Sequence, residues 1–298
     1  MSVPGALPRR VLILGLGFAG RALATRLHTL GVDVAGSVRE PASAPGDSIG
    51  RHRLHPGHAL ESRLLDAIAR ADAVLCSVPA DAGGDPALRQ LAPALHASPA
   101  LRWVGYLSST AVYGDRDGGW IDTHSIADAT DASAVQRRLA EAQWRALARE
   151  RGIASAVFRL PGLYGRGRNA LVQLAQGRAR HVVRPGLVFN RLHVEDLADA
   201  VIASMQRPTP GGLYLPADDE PAPPQDVLAH AARLGGFMLP PPLAWDAPAL
   251  SPQLRRFYAG NKRIDSGGTR QALQWQPRFP SYREGLRDAW EAGDGAIR

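Results

Sequence analysis

Three glycines, Gly15, Gly17 and Gly20, follow directly on four consecutive apolar residues, Val11-Leu12-Ile13-Leu14. An unbroken apolar run of this kind reads as a strand buried on both faces of a parallel sheet. Arg21 to Leu30, with Leu23, Leu27 and Leu30 at helical spacing, reads as a helix that Gly31 ends, and Val32 to Gly36 restarts extended chain. In a strand–turn–helix–strand unit the first glycine permits the tight turn and the second lets backbone approach a pyrophosphate. The third lets the helix pack against the strand. The helix N-terminus then turns its N–H groups and partial positive charge toward the phosphates. The segment predicts a dinucleotide site at Gly15, Gly17, Phe18, Ala19 and Gly20.

The alternation continues. Leu64 to Arg70, Pro86 to His96 and Ala134 to Arg149 read as helices; Ala73 to Val78, Leu101 to Ser108 and Ala154 to Leu160 read as strands. On the Ala134 helix, Val135, Leu139, Ala142 and Ala146 form the apolar stripe expected to face the core. Strands alternating with helices across short loops predict an α/β fold with a doubly wound parallel Rossmann sheet and a smaller C-terminal substrate lobe. Residues 1–165 are expected to form the dinucleotide-binding domain, with a return around 188–216, and residues 166–298 mostly the lobe. The helix Glu195 to Met205, the turn clusters Pro208 to Gly212 and Asp218 to Pro224, and Pro240-Pro241-Pro242 break the regular texture there.

Composition excludes several classes. The chain has 298 residues, 45% hydrophobic and 21% charged, enough apolar content for a buried core and too much for disorder. Cys76 is the only cysteine, so no internal disulfide forms, and a reducing, cytoplasmic compartment is the natural expectation. No apolar run reaches the ~20 residues of a membrane-spanning helix. Arg9-Arg10 before Val11 to Leu14 imitates a twin-arginine export signal, but the glycine spacing and the strand that follows read it as fold. The net charge is +7, and Lys262 is the only lysine among 35 basic residues, a bias toward arginine rather than a nucleic-acid footprint. Without a helix-turn-helix, metal-ligand pairs or a basic tail, neither nucleic acid nor a metal is expected. An anionic small molecule fits the charge, since the guanidinium fork suits phosphate.

Cofactor choice is read at the end of the second strand, where a carboxylate would hold a ribose 2′-hydroxyl. The segment there is Gly36-Ser37-Val38-Arg39, with Glu40 one step later. Ser37 and Arg39 suit a 2′-phosphate, which favours NADP over NAD, unless Arg39 is only a solvated loop charge. Ser77, Val78 and Pro79, after the Ala73 strand, are expected beside the ribose, and Cys76 is expected buried and inert.

Four segments together resemble the extended short-chain dehydrogenase/reductases of the epimerase/dehydratase branch. They are the glycine turn, Ser108-Ser109-Thr110-Ala111-Val112-Tyr113-Gly114, Arg159-Leu160-Pro161-Gly162-Leu163-Tyr164-Gly165, and Arg191-Leu192-His193-Val194-Glu195-Asp196. Asp218-Asp219-Glu220-Pro221, Asn261-Lys262-Arg263 and Tyr282 to Leu286 extend the likeness to an atypical bacterial subgroup. The resemblance implies hydride chemistry with a nicotinamide cofactor, Ser108 and Pro161 beside that cofactor, and Ser109 polarising a substrate oxygen. It also implies a possible homodimer. The family's Tyr-x-x-x-Lys pair maps onto Ser133 and Arg137, a spacing that keeps both side chains on one helical face. The swap removes the proton carrier, because a serine hydroxyl needs a base and a guanidinium does not titrate. Tyr113 or a group on the substrate then remains for acid/base work, with Tyr164 a packing aromatic or a second carrier. His193 and Asp196 are expected to serve structure, Asp196 at a helix N-terminus.

Tyr258-Ala259-Gly260-Asn261-Lys262 repeats the Tyr-x-x-x-Lys spacing, but it lies far past the sheet. Lys262 and Arg263 are therefore read as structural or as substrate-phosphate contacts. Arg166, Arg168, Arg178, Arg180, Arg184 and Arg191 crowd one stretch of the lobe, where the resemblance puts Asn169 and Arg191 on the substrate; a solvated basic loop is the equal alternative. Two functions stay open: an oxidoreductase or epimerase-like enzyme, and a cofactor-binding sensor without turnover.

Overall fold

The computed structural model describes residues 5–40, 49–251, 255, 258 and 260–296. The opening unit is β1 (Arg10–Leu14), α1 (Phe18–Thr29) and β2 (Asp33–Val38); β3 (Gly50–Arg53), α2 (Ser62–Arg70), β4 (Ala73–Cys76), α3 (Pro86–Ala97) and β5 (Trp103–Ser109) follow. A 3-10 turn at Thr110–Tyr113 and β6 (Trp120–Ile121) lead to α4 (Ala132–Arg151) and β7 (Ala154–Leu160). Next come β8 (Gly162–Tyr164), α5 (Ala170–Ala175), β9 (Val182–Val183), β10 (Arg191–His193), α6 (Val194–Gln206) and β11 (Gly212–Tyr214). The last elements are α7 (Pro224–Gly235), β12 (Leu243–Ala244), β13 (Arg263–Ile264), α8 (Gly267–Leu273) and α9 (Tyr282–Glu291).

Seven strands form one parallel sheet in the order β11-β7-β5-β4-β1-β2-β3. The chain winds outward from β1 in one direction and from β4 in the other. The crevice beyond the carboxyl ends of these two strands is thus the switch point where ligands of open α/β sheets bind. Alternate side chains of β1 feed opposite layers. Val11 and Ile13 pack with Leu23 and Leu27 of α1 and with α6. Leu12 and Leu14 pack with Leu64 of α2, Leu91 of α3 and Trp144 of α4. Each such fully buried leucine contributes about 2 kcal/mol of apolar transfer. A third cluster, around Leu171, Ala231, Tyr282 and Leu286, builds the lobe from α5, α7 and α9.

One strand lies outside the sequence expectations, and one expectation needs correction. β3, an Arg-His-Arg edge strand, carries no apolar pattern because only one long side of it meets the sheet. On α4 the expected stripe faces outward: Val135 is 45% and Leu139 41% exposed, and Ala142 is exposed too. The inward face is Ala134, Ala140, Glu141, Trp144, Leu147 and Ala148. Two polar-headed side chains, Glu141 and Trp144, occupy it because their partners are buried beside them. Trp144 Nε1 donates at 2.6 Å to Asp85, which also caps α3 and accepts from the Cys76 thiol at 3.0 Å. Burial and the Asp85 carboxylate push that thiol well up, so Cys76 is buried and stays protonated.

Candidate active site

The turn after β1 is held by two serines. Ser37 Oγ accepts from the Gly15 N–H at 3.0 Å, and Ser77 Oγ donates to the Gly15 carbonyl at 2.6 Å. Gly15 has φ +95°, and a Cβ there would lie 2.9 Å from Ser77 Oγ, so a side chain is excluded twice. A Cβ on Gly20 would lie 2.2 Å from the Gly15 carbonyl oxygen, which is how closely α1 approaches the turn. Gly17 is different. It is exposed, it begins α1 without a side-chain cap, and a Cβ on it would meet nothing within 4 Å. Open space at Gly17, over first-turn N–H groups that have no intrahelical partners, fits a dinucleotide pyrophosphate. Phe18 and Ala19 are half-buried beside it, and the Arg168 guanidinium of the lobe stands 5.1 Å from the Phe18 ring.

Of the residues assigned to the 2′-phosphate, Arg39 is exposed just past β2, whereas Ser37 is only 2% exposed. Ser37 is therefore a strut of the turn and not a phosphate contact; its hydroxyl is already engaged inside. Arg53, which sequence reasoning passed over, pairs in register with Val38 on β3, and its buried Nε has no hydrogen-bond partner among the described residues. Its backbone N–H donates to Glu61 at 3.3 Å. Ser77 and Val78 are half-buried and Pro79 exposed at the crevice; Pro161 is half-buried after β7.

The Ser109 turn sits at the carboxyl end of β5. Ser109 Oγ accepts from the Ala111 N–H at 3.1 Å, which caps the 3-10 turn and leaves its own proton free to donate. Ser108 points the other way, is 3% exposed, and donates to Glu141 at 2.6 Å, so it is sealed from any cofactor. Tyr113 is also a correction. Its hydroxyl accepts from Arg159 at 2.9 Å and donates to the Asp122 carbonyl at 3.2 Å, and burial raises its phenol. A fully buried, raised phenol in those contacts is not an exposed acid/base. Arg159 in turn forks onto Glu141 at 2.8 Å, a pair with side-chain exposures of 8% and 1%. Ser133 is exposed and Arg137 half-buried on the first turns of α4.

The lobe arginines do not form one anion site. Arg166 pairs with Asp288 at 2.6 Å, Arg184 stacks 4.8 Å over Trp245 and donates to the Tyr258 carbonyl, and Arg178 donates to Gln176. Arg191 donates to the Phe189 and Ala222 carbonyls at 2.9 and 3.0 Å, which ties it to the lobe rather than to a substrate. Asn169 caps α5 through Leu171 and Val172 and donates to Gly165 and Asp294, leaving its amide no free group for a substrate. His193 caps α6 by accepting from Glu195 at 3.3 Å. Its ring is packed 3.9 Å from Phe279, and burial lowers it to about 4, so it is neutral. Asp196 does not cap the helix; it accepts from Arg278 and Phe279 N–H groups and anchors the C-terminal segment. Tyr164 donates to the Ser281 carbonyl at 3.1 Å and is likewise internal.

Comparison with known proteins follows the same lines. The model of the NAD dependent epimerase/dehydratase family matches residues 11–214. A 3-diazoavenalumate denitrifying reductase of Streptomyces is 28% identical over 304 residues, 93% of this chain and 99% of its own. A functionally unknown conserved protein of Silicibacter pomeroyi is 38% identical, with a TM-score of 0.85 over 96% of this chain and 99% of its own. Two more distant structures share the fold. MoeE5 in complex with UDP-glucose and NAD is 21% identical, with a TM-score of 0.76 over 95% and 97% of the two chains. A human epimerase family protein with NADPH is 19% identical, with a TM-score of 0.71 over 95% and 99%.

Proposed function

Because the chain belongs to the NAD dependent epimerase/dehydratase family, we propose that it is an NADP(H)-dependent oxidoreductase acting on the oxygen function of a small molecule. The observation that carries the reading is the open space over Gly17 at the uncapped N-terminus of α1. A bound nicotinamide supplies or accepts the hydride; everything else falls to the chain. Gly15, Gly17 and Gly20 keep the turn close to the pyrophosphate, and Ser37 and Ser77 hold the turn's shape. Arg39, with Arg53 on the neighbouring strand, supports a 2′-phosphate and hence NADP, since no carboxylate ends β2 itself. Ser109 donates a hydrogen bond to a substrate oxygen and polarises the carbonyl, without giving up its proton. The direction toward reduction is supported by the reductase to which nearly the whole chain is similar. A reducing compartment such as the cytoplasm suits the lone buried thiol, and no helix among the described residues is long and apolar enough to cross a membrane. The exposed Val135–Leu139 stripe of α4 supports a homodimer.

The test is NADPH consumption over a panel of sugar nucleotides and carbonyl compounds. Turnover that Ser109→Ala reduces at least a hundredfold supports the enzyme. One observation favours a second reading: the residue in the tyrosine's place is Ser133, an exposed serine in the first turn of α4. Tight NADP(H) binding with no turnover anywhere in the panel would make the protein a redox-state sensor instead.

A further inference from the structure

The described residues around the Ser109 turn supply few groups that can give up a proton. Tyr113 and Tyr164 are buried and engaged, His193 is buried and neutral, and a guanidinium is no proton donor. Lys262 remains. It belongs to the C-terminal lobe, yet its Nζ donates at 2.5 Å to the carbonyl of Gly114, the residue that ends the Ser109–Gly114 segment. The approach is fixed by several bonds. The Asn261 N–H donates to Asp115 at 2.7 Å, the Arg116 N–H donates to the Asn261 carbonyl at 2.9 Å, and β13 pairs with β6 immediately afterward. Asn190 donates to the Lys262 carbonyl at 2.8 Å. The ammonium has three donors, and two have no hydrogen-bond partner among the described residues. The Tyr258 spacing is incidental to this arrangement, and Ala259 lies outside the described residues.

We propose that Lys262 is the proton donor of the site, replacing from the lobe the tyrosine that α4 lacks. The proposal rests on the hydride-transfer reading above. In the reducing direction the carbonyl π bond opens, the carbon takes a hydride from reduced nicotinamide, and the oxygen takes a proton from the Lys262 ammonium. The amine then recovers a proton from water. The charged groups facing Lys262 are Asp115 and Arg116, from the loop after the 3-10 turn, and Asp131, the N-cap of α4 two residues before Ser133. The two carboxylates favour the ammonium; burial and Arg116 oppose it, and the outcome is a lysine lowered from its ordinary value. Lowering brings the group closer to the range where it can both give and recover a proton.

Since Lys262 is the only lysine, protein labelled with [13Cε]lysine has a single side-chain resonance, and its pH titration reports this one ammonium. The titration is run on the free protein and with 2′,5′-ADP, NADPH or NADP+. Were Lys262 within about 6 Å of the ring, as a proton donor to the reacting oxygen must be, a positive nicotinamide would lower the midpoint by between about half a unit and two units. The expected result is a lower midpoint with NADP+ than with NADPH, and no change with 2′,5′-ADP, which lacks the ring. Equal midpoints in two demonstrated complexes overturn the role of Lys262 and leave the cofactor reading standing. Failure of every nicotinamide ligand to bind overturns both. On any substrate the native protein reduces, Lys262→Arg keeps the charge but cannot release a proton and is expected to lose at least a hundredfold in turnover with NADPH affinity unchanged. Full turnover in that variant refutes the proposal alone.

Discussion

Replacing Glu141 with alanine tests whether the buried charge pair behind β5 holds the Ser109 turn in place. Glu141 accepts from Ser108 at 2.6 Å and from Arg159 Nη2 at 2.8 Å and Nε at 3.1 Å, with Arg145 at 3.5 Å. Its removal strands an Arg159 side chain that is only 8% exposed. Breaking one partner of a buried pair costs about 3–5 kcal/mol, because the surviving charge is left desolvated. For a chain of this size that is a fall in melting temperature on the order of 10 °C. The damage should also reach the site, since Ser108 and Arg159, which holds Tyr113, both lose their anchor at the two ends of the turn. The assay is thermal and urea unfolding at neutral pH of Glu141→Ala, Arg159→Leu and the double variant Glu141→Ala/Arg159→Leu. The double variant removes both charges and should be more stable than either single change. A Glu141→Ala loss below about 1 kcal/mol, or a double variant at the sum of the singles, would refute the reasoning.

Two further predictions separate other parts of the structure. Gly17→Ala has room for its methyl and should fold normally, yet lose at least tenfold in NADPH affinity; Gly20→Ala, 2.2 Å from the Gly15 oxygen, should lose stability as well, and calorimetry with melting curves reads both. Asp218 is 4% exposed, neither of its oxygens has a well-formed hydrogen bond among the described residues, and burial, only partly opposed by Arg191, raises it from 3.8 to about 8. Between those values the folded chain holds a proton that the unfolded chain lacks, so stability falls as pH rises. Asp218→Asn should therefore gain on the native protein progressively from pH 4 to pH 8; a constant difference in melting temperature would contradict this.

The β1–α1–β2 unit was legible because its signals are local: an apolar run, spaced glycines and a helical period within one stretch of chain. α4 was legible as a helix but not in its facing. Its core side carries Glu141 and Trp144, whose burial depends on Arg159 and Asp85 supplied from elsewhere in the sheet layer. Likewise Ser37, Asn169 and Arg191 have the chemistry of ligand contacts, and only their hydrogen bonds reveal that the fold already uses them. Lys262 meets Gly114 across 148 residues, a distance over which no periodicity carries information.

The most direct measurement is calorimetric binding of NADPH and NADH to the native protein and to Arg39→Ala. The prediction is tight NADPH binding, weaker NADH binding, and an Arg39→Ala loss at least tenfold larger for NADPH than for NADH. No binding of either would contradict the dinucleotide site at Gly15–Gly20, and equal losses would contradict its preference for the 2′-phosphate.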